Sequence, residues 1–318
     1  MRYFSMEYNQ YTFYLRKLAS LLSLFIIVIV LTILSPNFLT MDNILSIGLQ
    51  MSVIAIMSVG QVWIIISGGI DLSVGSIMAL SGVITTMMIA AGVNMFVASM
   101  CGILMGAFCG FINGFLTAVG KLPAFIATLG MMGIARGIAL IITKGVPIFG
   151  LPESFSVMGN GRIAGILPIP VLITFIIGIV GHIALTKTPF GRYTYAIGSN
   201  FEAARLSGIR TTRNLIYIYL LGGFLYGAAG IILASRLSTG QPTSGLGYEL
   251  DVIAACVIGG ASLSGGSGTI WGAILGAILI GVLRNGSNLL DISAFWQQVA
   301  IGTIIVIAVF IDQYHKNR

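Results

Sequence analysis

The chemically most organised residues of this chain lie between positions 186 and 214, where Lys187, Arg192, Arg205, Arg210 and Arg213 face a single acid, Glu202. Within this stretch Ser199-Asn200-Phe201-Glu202 has the S-x-x-E form of a capping box. In such a box a hydroxyl accepts from the amide three residues on, and the carboxylate reaches back to the first amide. Arg205 falls near the far end, where the helix dipole favours a cation. Gly208 follows as the residue that ends a helix in the left-handed conformation. The spacing predicts a short helix of about eight residues, roughly 12 Å long at 1.5 Å per residue. Its chemistry is recognition. A loop that only carries charge needs no caps, whereas a surface gripped by another subunit needs a fixed shape and exposure.

No catalytic residue and no metal ligand is assigned anywhere else. Cys101, Cys109 and Cys256 sit in apolar runs without metal-ligand spacing and read as small buried hydrophobes. His182 and His315 are far apart, no H-E-x-x-H occurs, and His182 reads as structural. The nearest string to a phosphate-binding loop, 114–121, has one residue too many between its glycines and is followed by Leu122. Any ATP chemistry therefore falls to a partner, and this chain is expected to bind no cofactor. Arg136 lies well inside an apolar run and is expected to pair with a neighbouring helix or with backbone carbonyls. Asp71, Glu249 and Asp251 stand at the ends of apolar runs, as acids that complement helix dipoles or as a coupling-ion site.

The elements that must position these residues are membrane helices. Apolar residues make up 57% of the chain and charged ones 8%, against the ~25% charge that wets a soluble domain. A helix crossing ~30 Å of hydrocarbon needs about 20 residues. On that ruler the apolar runs give about ten spans, at 18–35, 44–67, 72–91, 95–119, 123–142, 166–186, 214–236, 250–262, 269–284 and 295–312. The run 250–262 is short enough to be a broken helix, and the turn Ser67-Gly68-Gly69-Ile70-Asp71 is of a kind that dips into the membrane. The expected organisation is a terminal segment at 1–17, one all-α transmembrane domain at 18–312 containing the loop 187–213, and a tail at 313–318. The first run lacks a small-residue cleavage site and is expected to stay attached.

With the N-terminus in the cytoplasm and alternating spans, eleven of the 16 Lys and Arg residues fall inside, including every cation of the loop 187–213. That asymmetry favours both termini in the cytoplasm of a multi-pass cell-membrane protein. The net charge of +7 is spread over span ends, a topology signal rather than a nucleic-acid footprint.

Two stretches look alike. Gly106, Gly110 and Gly114 followed by Leu122-Pro-Ala-Phe125 resemble Gly272 and Gly276 followed by Ile292-Ser-Ala-Phe295, with Asp71 and Asp251 upstream. In the alternating topology these stretches run in opposite directions, which predicts an inverted repeat relating spans two to five to spans seven to ten. Gly102, Gly106, Gly110 and Gly114 share one helix face, and Gly268, Gly272 and Gly276 repeat the spacing, both predicting close helix packing.

Glu202-Ala203-Ala204-x-x-x-Gly208 resembles the E-A-A-x-x-x-G coupling loop of ABC importer permeases. Further stretches are similar to the ribose-type sugar permease family: Ser67-Gly-Gly-Ile-Asp71-Leu-Ser-Val-Gly75, Thr188-Pro-Phe-Gly-Arg192, Ala196-Ile-Gly-Ser-Asn200, Gly247-Tyr-Glu-Leu-Asp251, Ser262-Leu-Ser-Gly-Gly266, Arg284-Asn-Gly-Ser-Asn288 and Phe295-Trp-Gln-Gln298. The resemblance runs from about residue 37 to 312, and it departs from the common coupling loop in lacking Ile-x-Leu-Pro after Gly208. It implies a permease subunit that imports a ribose-like monosaccharide, with ATP hydrolysed by cytoplasmic ABC ATPase subunits docked on 199–208. It also implies an extracytoplasmic sugar-binding protein and a second permease copy. A neutral sugar needs amides, hydroxyls and a stacking face, which makes Asn113, Asn285, Asn288, Gln297, Gln298 and Trp296 the candidates for a translocation pathway. An ion-coupled secondary transporter is the rival; it calls for a buried carboxylate near mid-span, where the sequence places none.

Overall fold

The computed structural model describes residues 21–316; the terminal segment 1–17 lies outside them. The chain is helical almost throughout. The helices α1 (Leu21–Leu34), α2 (Met41–Ile66), α3 (Val74–Ala90), α4 (Met95–Ala118) and α5 (Ala124–Thr143) come first. A connection follows, with α6 (Glu153–Asn160) and the strands β1 (Arg162–Ile163) and β2 (Leu167–Pro168). Then come α7 (Ile169–Lys187), α8 (Pro189–Ser199), α9 (Phe201–Leu206), α10 (Thr211–Leu237), α11 (Tyr248–Ile258), α12 (Ile270–Leu289) and α13 (Ala294–Lys316).

Among the described residues six helices are long and apolar enough to cross a bilayer: α2, α4, α5, α7, α10 and α12. Shorter apolar helices accompany them at α1, α3 and 294–307 of α13, and α11 has only 11 residues, as its sequence foretold. This is a polytopic helical membrane protein, since helices satisfy every backbone group within the segment that lipid surrounds.

The core forms around α2 and α10. α2 is buried along nearly all of its second half, with Trp63 fully enclosed. The glycine face of α4 lies on α10, backbone to backbone. A methyl group on Gly106 would stand 2.5 Å from the Gly223 carbonyl oxygen and 2.9 Å from the Gly227 Cα. Gly110 and Gly114 meet Gly223 and Ile216 in the same way, whereas Gly102 faces Thr85 of α3. Gly272 and Gly276 meet the backbone at Gly259 and Ala255, closing α12 on α11. The packing follows a pattern: α4 lies on α10 and α12 on α2, while α3 touches α4 and α5 as α11 touches α12 and α13.

The loop between α7 and α10 and the turns 67–73 and 259–269 meet at one end of the bundle, hereafter the loop end. The opposite end is more built than the sequence suggested, because residues 144–168 are not a plain connection. Phe155 of α6 is fully buried, the Gly159 amide donates to Ser235 Oγ at 2.7 Å, and Ile148 bridges Gly240. The two strands pair antiparallel, Arg162 with Pro168 and Ile163 with Leu167, around a turn holding Ala164 and Gly165 at positive φ.

Candidate functional site

The stretch 187–213 folds as two helices set end to end, not as one helix in a loop. Thr188 starts α8, accepting from the Gly191 amide at 3.3 Å, and Pro189 occupies the first helical position, where a missing N–H costs nothing. α8 continues to Ser199, which corrects the capping-box expectation. Ser199 is the last residue of α8, and Asn200 is the cap of α9. Asn200 is extended at φ −158°, and its Oδ1 accepts from the Ala203 amide at 2.9 Å. The reason is local: with α8 helical through Ser199, only the next residue is free to take the extended backbone that a cap requires.

Glu202 does not reach back to an amide in this arrangement. Its carboxylate receives Arg205 Nε at 3.0 Å and Nη2 at 2.7 Å. The pair is exposed, and pairs of this kind are worth ~0.3–0.5 kcal/mol in a helix, enough to hold side chains in register but not to hold the fold. Gly208 takes φ +83°, and the Ile209 amide returns to the Ala204 carbonyl at 3.2 Å, ending α9 with a left-handed residue as expected. Ala204 is the one buried residue of α9; Phe201, Glu202, Ala203, Arg205 and Leu206 all face outward, and Leu206 is 81% exposed.

α8 is seated firmly where α9 is not. Phe190 stacks on Trp63 of α2 with centroids 5.0 Å apart. Gly191 lies against the Leu185 carbonyl, and Gly198 lies against the Ile66 carbonyl, so close that neither has room for a Cβ. The same Ile66 carbonyl accepts from the Gly266 amide at 2.9 Å, and Tyr195 Oη donates to the Gly268 carbonyl at 2.7 Å. Burial pushes the Tyr195 phenol up to about 12, which keeps it a neutral donor. α8 therefore spans the end of α2 and the turn that joins α11 to α12. Gly198 entered only within the stretch Ala196–Asn200 and Tyr195 not at all; the glycine-rich run 262–268, which needs close backbone partners, was the available signal for their contacts.

The six pathway candidates do not come together. Asn113 is fully buried towards the loop end, donating to Ser73 Oγ at 2.9 Å, and Ser73 in turn donates from its amide to Asp71 Oδ1 at 2.8 Å. Asp71 is itself fully buried in the turn between α2 and α3, a turn braced by the Leu72 amide on Thr128 Oγ1 at 3.2 Å. Asp71 Oδ1 accepts from the amide and hydroxyl of Ser73, and its Oδ2 accepts from Asn113 Nδ2 at 3.5 Å. Among the described residues no cluster of His, Cys, Asp and Glu could hold a metal.

The other five candidates lie at the opposite end. Asn285 exchanges two hydrogen bonds with Asn43 of α2, at 2.7 and 3.0 Å, a partner the sequence did not suggest. Gln297 donates to Asn288 Oδ1 at 2.9 Å, while Trp296 and Gln298 face outward. Asp251 and Arg284 form a partly buried ion pair at 2.7 Å between α11 and α12. Arg136 takes the backbone-carbonyl option, donating to Pro242 and, at 2.8 Å, to Ser244.

Fold and site thus define an all-α polytopic membrane protein that displays an exposed, capped helix at one end. The chain belongs to the family described as branched-chain amino acid transport system / permease component, whose model matches residues 43–309. It is 47% identical over 301 residues to the ribose import permease protein RbsC of Bacillus subtilis strain 168, covering 94% of this chain and 93% of that one. It is 43% identical over 303 residues to the protein of the same name from Escherichia coli K12, covering 94% of each. The L-arabinose transport system permease protein AraH of the same strain is 42% identical over 292 residues, 92% of this chain and 89% of that one. No solved structure matches the chain.

Proposed function

We propose that this chain is the membrane-spanning subunit of an ATP-binding-cassette importer that carries a ribose-like monosaccharide into the cytoplasm. The relatives named for ribose and arabinose transport supply the substrate class. The observation that carries the mechanism is the unequal anchoring of α8 and α9. α9 offers an outward face built on Asn200, Glu202, Arg205 and Leu206, and α8 beneath it is locked to two transmembrane elements at once.

A partner ATPase that grips α9 and moves on closing its nucleotide site loads α8. Through the close contact at Gly198 and the Tyr195 hydrogen bond, that load reaches the end of α2 and the α11–α12 turn together. Shifting those two elements against the α4–α10 seam switches access from one side to the other. ATP is hydrolysed by the partner, and this chain is not an enzyme.

The loop end is cytoplasmic in this reading, supported by its five cations, and the termini lie on the same side. The three shorter apolar helices and the 11-residue α11 complete about ten spans. The inverted repeat is supported by the matched packing of α2–α5 and α10–α13, in which each contact of the first set has a counterpart in the second. It is also supported by the paired braces Asp71–Ser73–Asn113 and Asp251–Arg284. An extracytoplasmic sugar-binding protein docks at the opposite end, where 144–168 forms a built surface, and a second permease copy completes the pathway. Asn113, Asn285, Asn288, Trp296, Gln297 and Gln298 keep their place as candidate pathway residues.

The test is co-purification with the ATPase subunit followed by labelled-ribose uptake in proteoliposomes. A Glu202→Ala, Gly208→Pro double variant should lose uptake while remaining monodisperse. Unchanged uptake in that variant contradicts the coupling reading.

A further inference from the structure

Beside α9 the surface opens into a cavity of about 560 Å³. Three guanidinium groups line it, from Arg205, Arg210 and Arg213, and no carboxylate does. Arg205 is held by Glu202, and Arg213 is held by Tyr217, donating from Nε to the phenol oxygen at 3.1 Å with its guanidinium carbon 5.2 Å from the ring centroid. Two of the three cations are therefore positioned. Thr211 and Thr212 add the first turn of α10, at whose start no side chain caps the helix. One wall is apolar, built from Ile209, Ile216 and the ring of Tyr217.

That apolar wall does not stop at the rim. α10 is mostly enclosed, yet Arg213, Tyr217 and Phe224 recur on one outward stripe, Tyr217 and Phe224 each a little over two-fifths exposed. A cationic cavity at the mouth of such a stripe matches an amphiphile with a phosphate head and acyl chains. It does not match a free anion, which has no use for the apolar track. Arginine suits the head because its planar fork pairs with phosphate oxygens two at a time.

We propose that this cavity binds the phosphate headgroup of an anionic phospholipid from the leaflet at the loop end, its chains lying along the outward stripe of α10. The site abuts the α9 docking surface but does not depend on the transport reading. Basic pockets of membrane proteins bind anionic head groups, and a Lys or Arg near an anionic bilayer surface is worth about 1 kcal/mol.

The experiment is native mass spectrometry of the detergent-purified full chain mixed with equal amounts of phosphatidylglycerol and phosphatidylcholine of identical chains. The wild-type protein should retain phosphatidylglycerol preferentially. Arg210→Gln with Arg213→Gln should lower that retention about thirtyfold, each cation being worth about fivefold, with phosphatidylcholine unaffected. Arg210→Lys with Arg213→Lys should fall between the two, which separates loss of charge from loss of fold. Excess glycerol phosphate should not displace the lipid from the wild-type protein; full displacement would identify a soluble phosphate as the occupant and overturn the proposal. Equal retention of both lipids, or retention unchanged in the Gln variant, would also overturn it. In that case a fall in affinity for the ATPase in the same variant would assign the cavity to an acidic protein surface.

Discussion

Asn200 and Gly198 are adjacent to Ser199 on either side, and each does something that Ser199 does not. Asn200 caps α9, so Asn200→Ala should cost about 1 kcal/mol of local helix stability. Ser199→Ala should leave the helix alone, and the two variants should separate in amide-exchange protection at 203–206. Gly198 fits because it has no Cβ against the Ile66 carbonyl. In Gly198→Val, α8 must lift from α2, and overpacking of this kind costs about 1–3 kcal/mol, which at the coupling step means a loss of sugar uptake of about fivefold or more. Uptake in proteoliposomes checks this, with ATPase co-purification as the control for folding. The sequence showed that a cap lay in this region but misplaced it by one residue. The S-x-x-E pattern has no means of registering that an upstream helix, started by Thr188-Pro189, still occupies Ser199.

At the scale of elements, the α4–α10 seam determines whether the bundle forms at all. Lipid gives helices no hydrophobic reason to associate, so close backbone packing has to supply it. Gly110→Leu or Gly223→Leu should therefore lower the melting temperature in detergent sharply and broaden the gel-filtration profile. Gly133→Ala in α5 meets nothing within this chain and should leave the melting temperature unchanged or raise it, helix interiors favouring Ala over Gly by ~1 kcal/mol. The glycine stripe of α4 could be read from spacing alone. Which of the α10 glycines meet it could not, because only the fold turns Gly223 and Gly227 towards α4 while Gly222 faces α2 and Gly230 faces α3. The short elements of 144–168 were illegible for a related reason. Eight helical residues and two pairs of strand residues have no periodicity to detect, and they hold through Phe155 and the Gly159–Ser235 hydrogen bond, contacts distant in sequence.

For the molecule as a whole, the two ends must face opposite compartments. Single cysteines placed at Leu206 and Ile166, both well exposed, should be labelled by an impermeant maleimide from opposite sides of sealed vesicles. Labelling of both from one side would break the topology. The membrane class and most spans were plain in the sequence, since about 20 consecutive apolar residues leave few alternatives in water. What tied the spans together was not: Asn43 with Asn285, Asp251 with Arg284, and α8 with the turns on either side of it are pairings that only the fold creates. The central claim is that force enters through α9. The most direct measurement is photocrosslinking, with a benzophenone amino acid at position 206 or 166 in the assembled transporter. The account predicts that position 206 captures the ATPase subunit and position 166 does not. Capture of the ATPase from 166, or its absence from 206 in a complex that still hydrolyses ATP and transports, would contradict it.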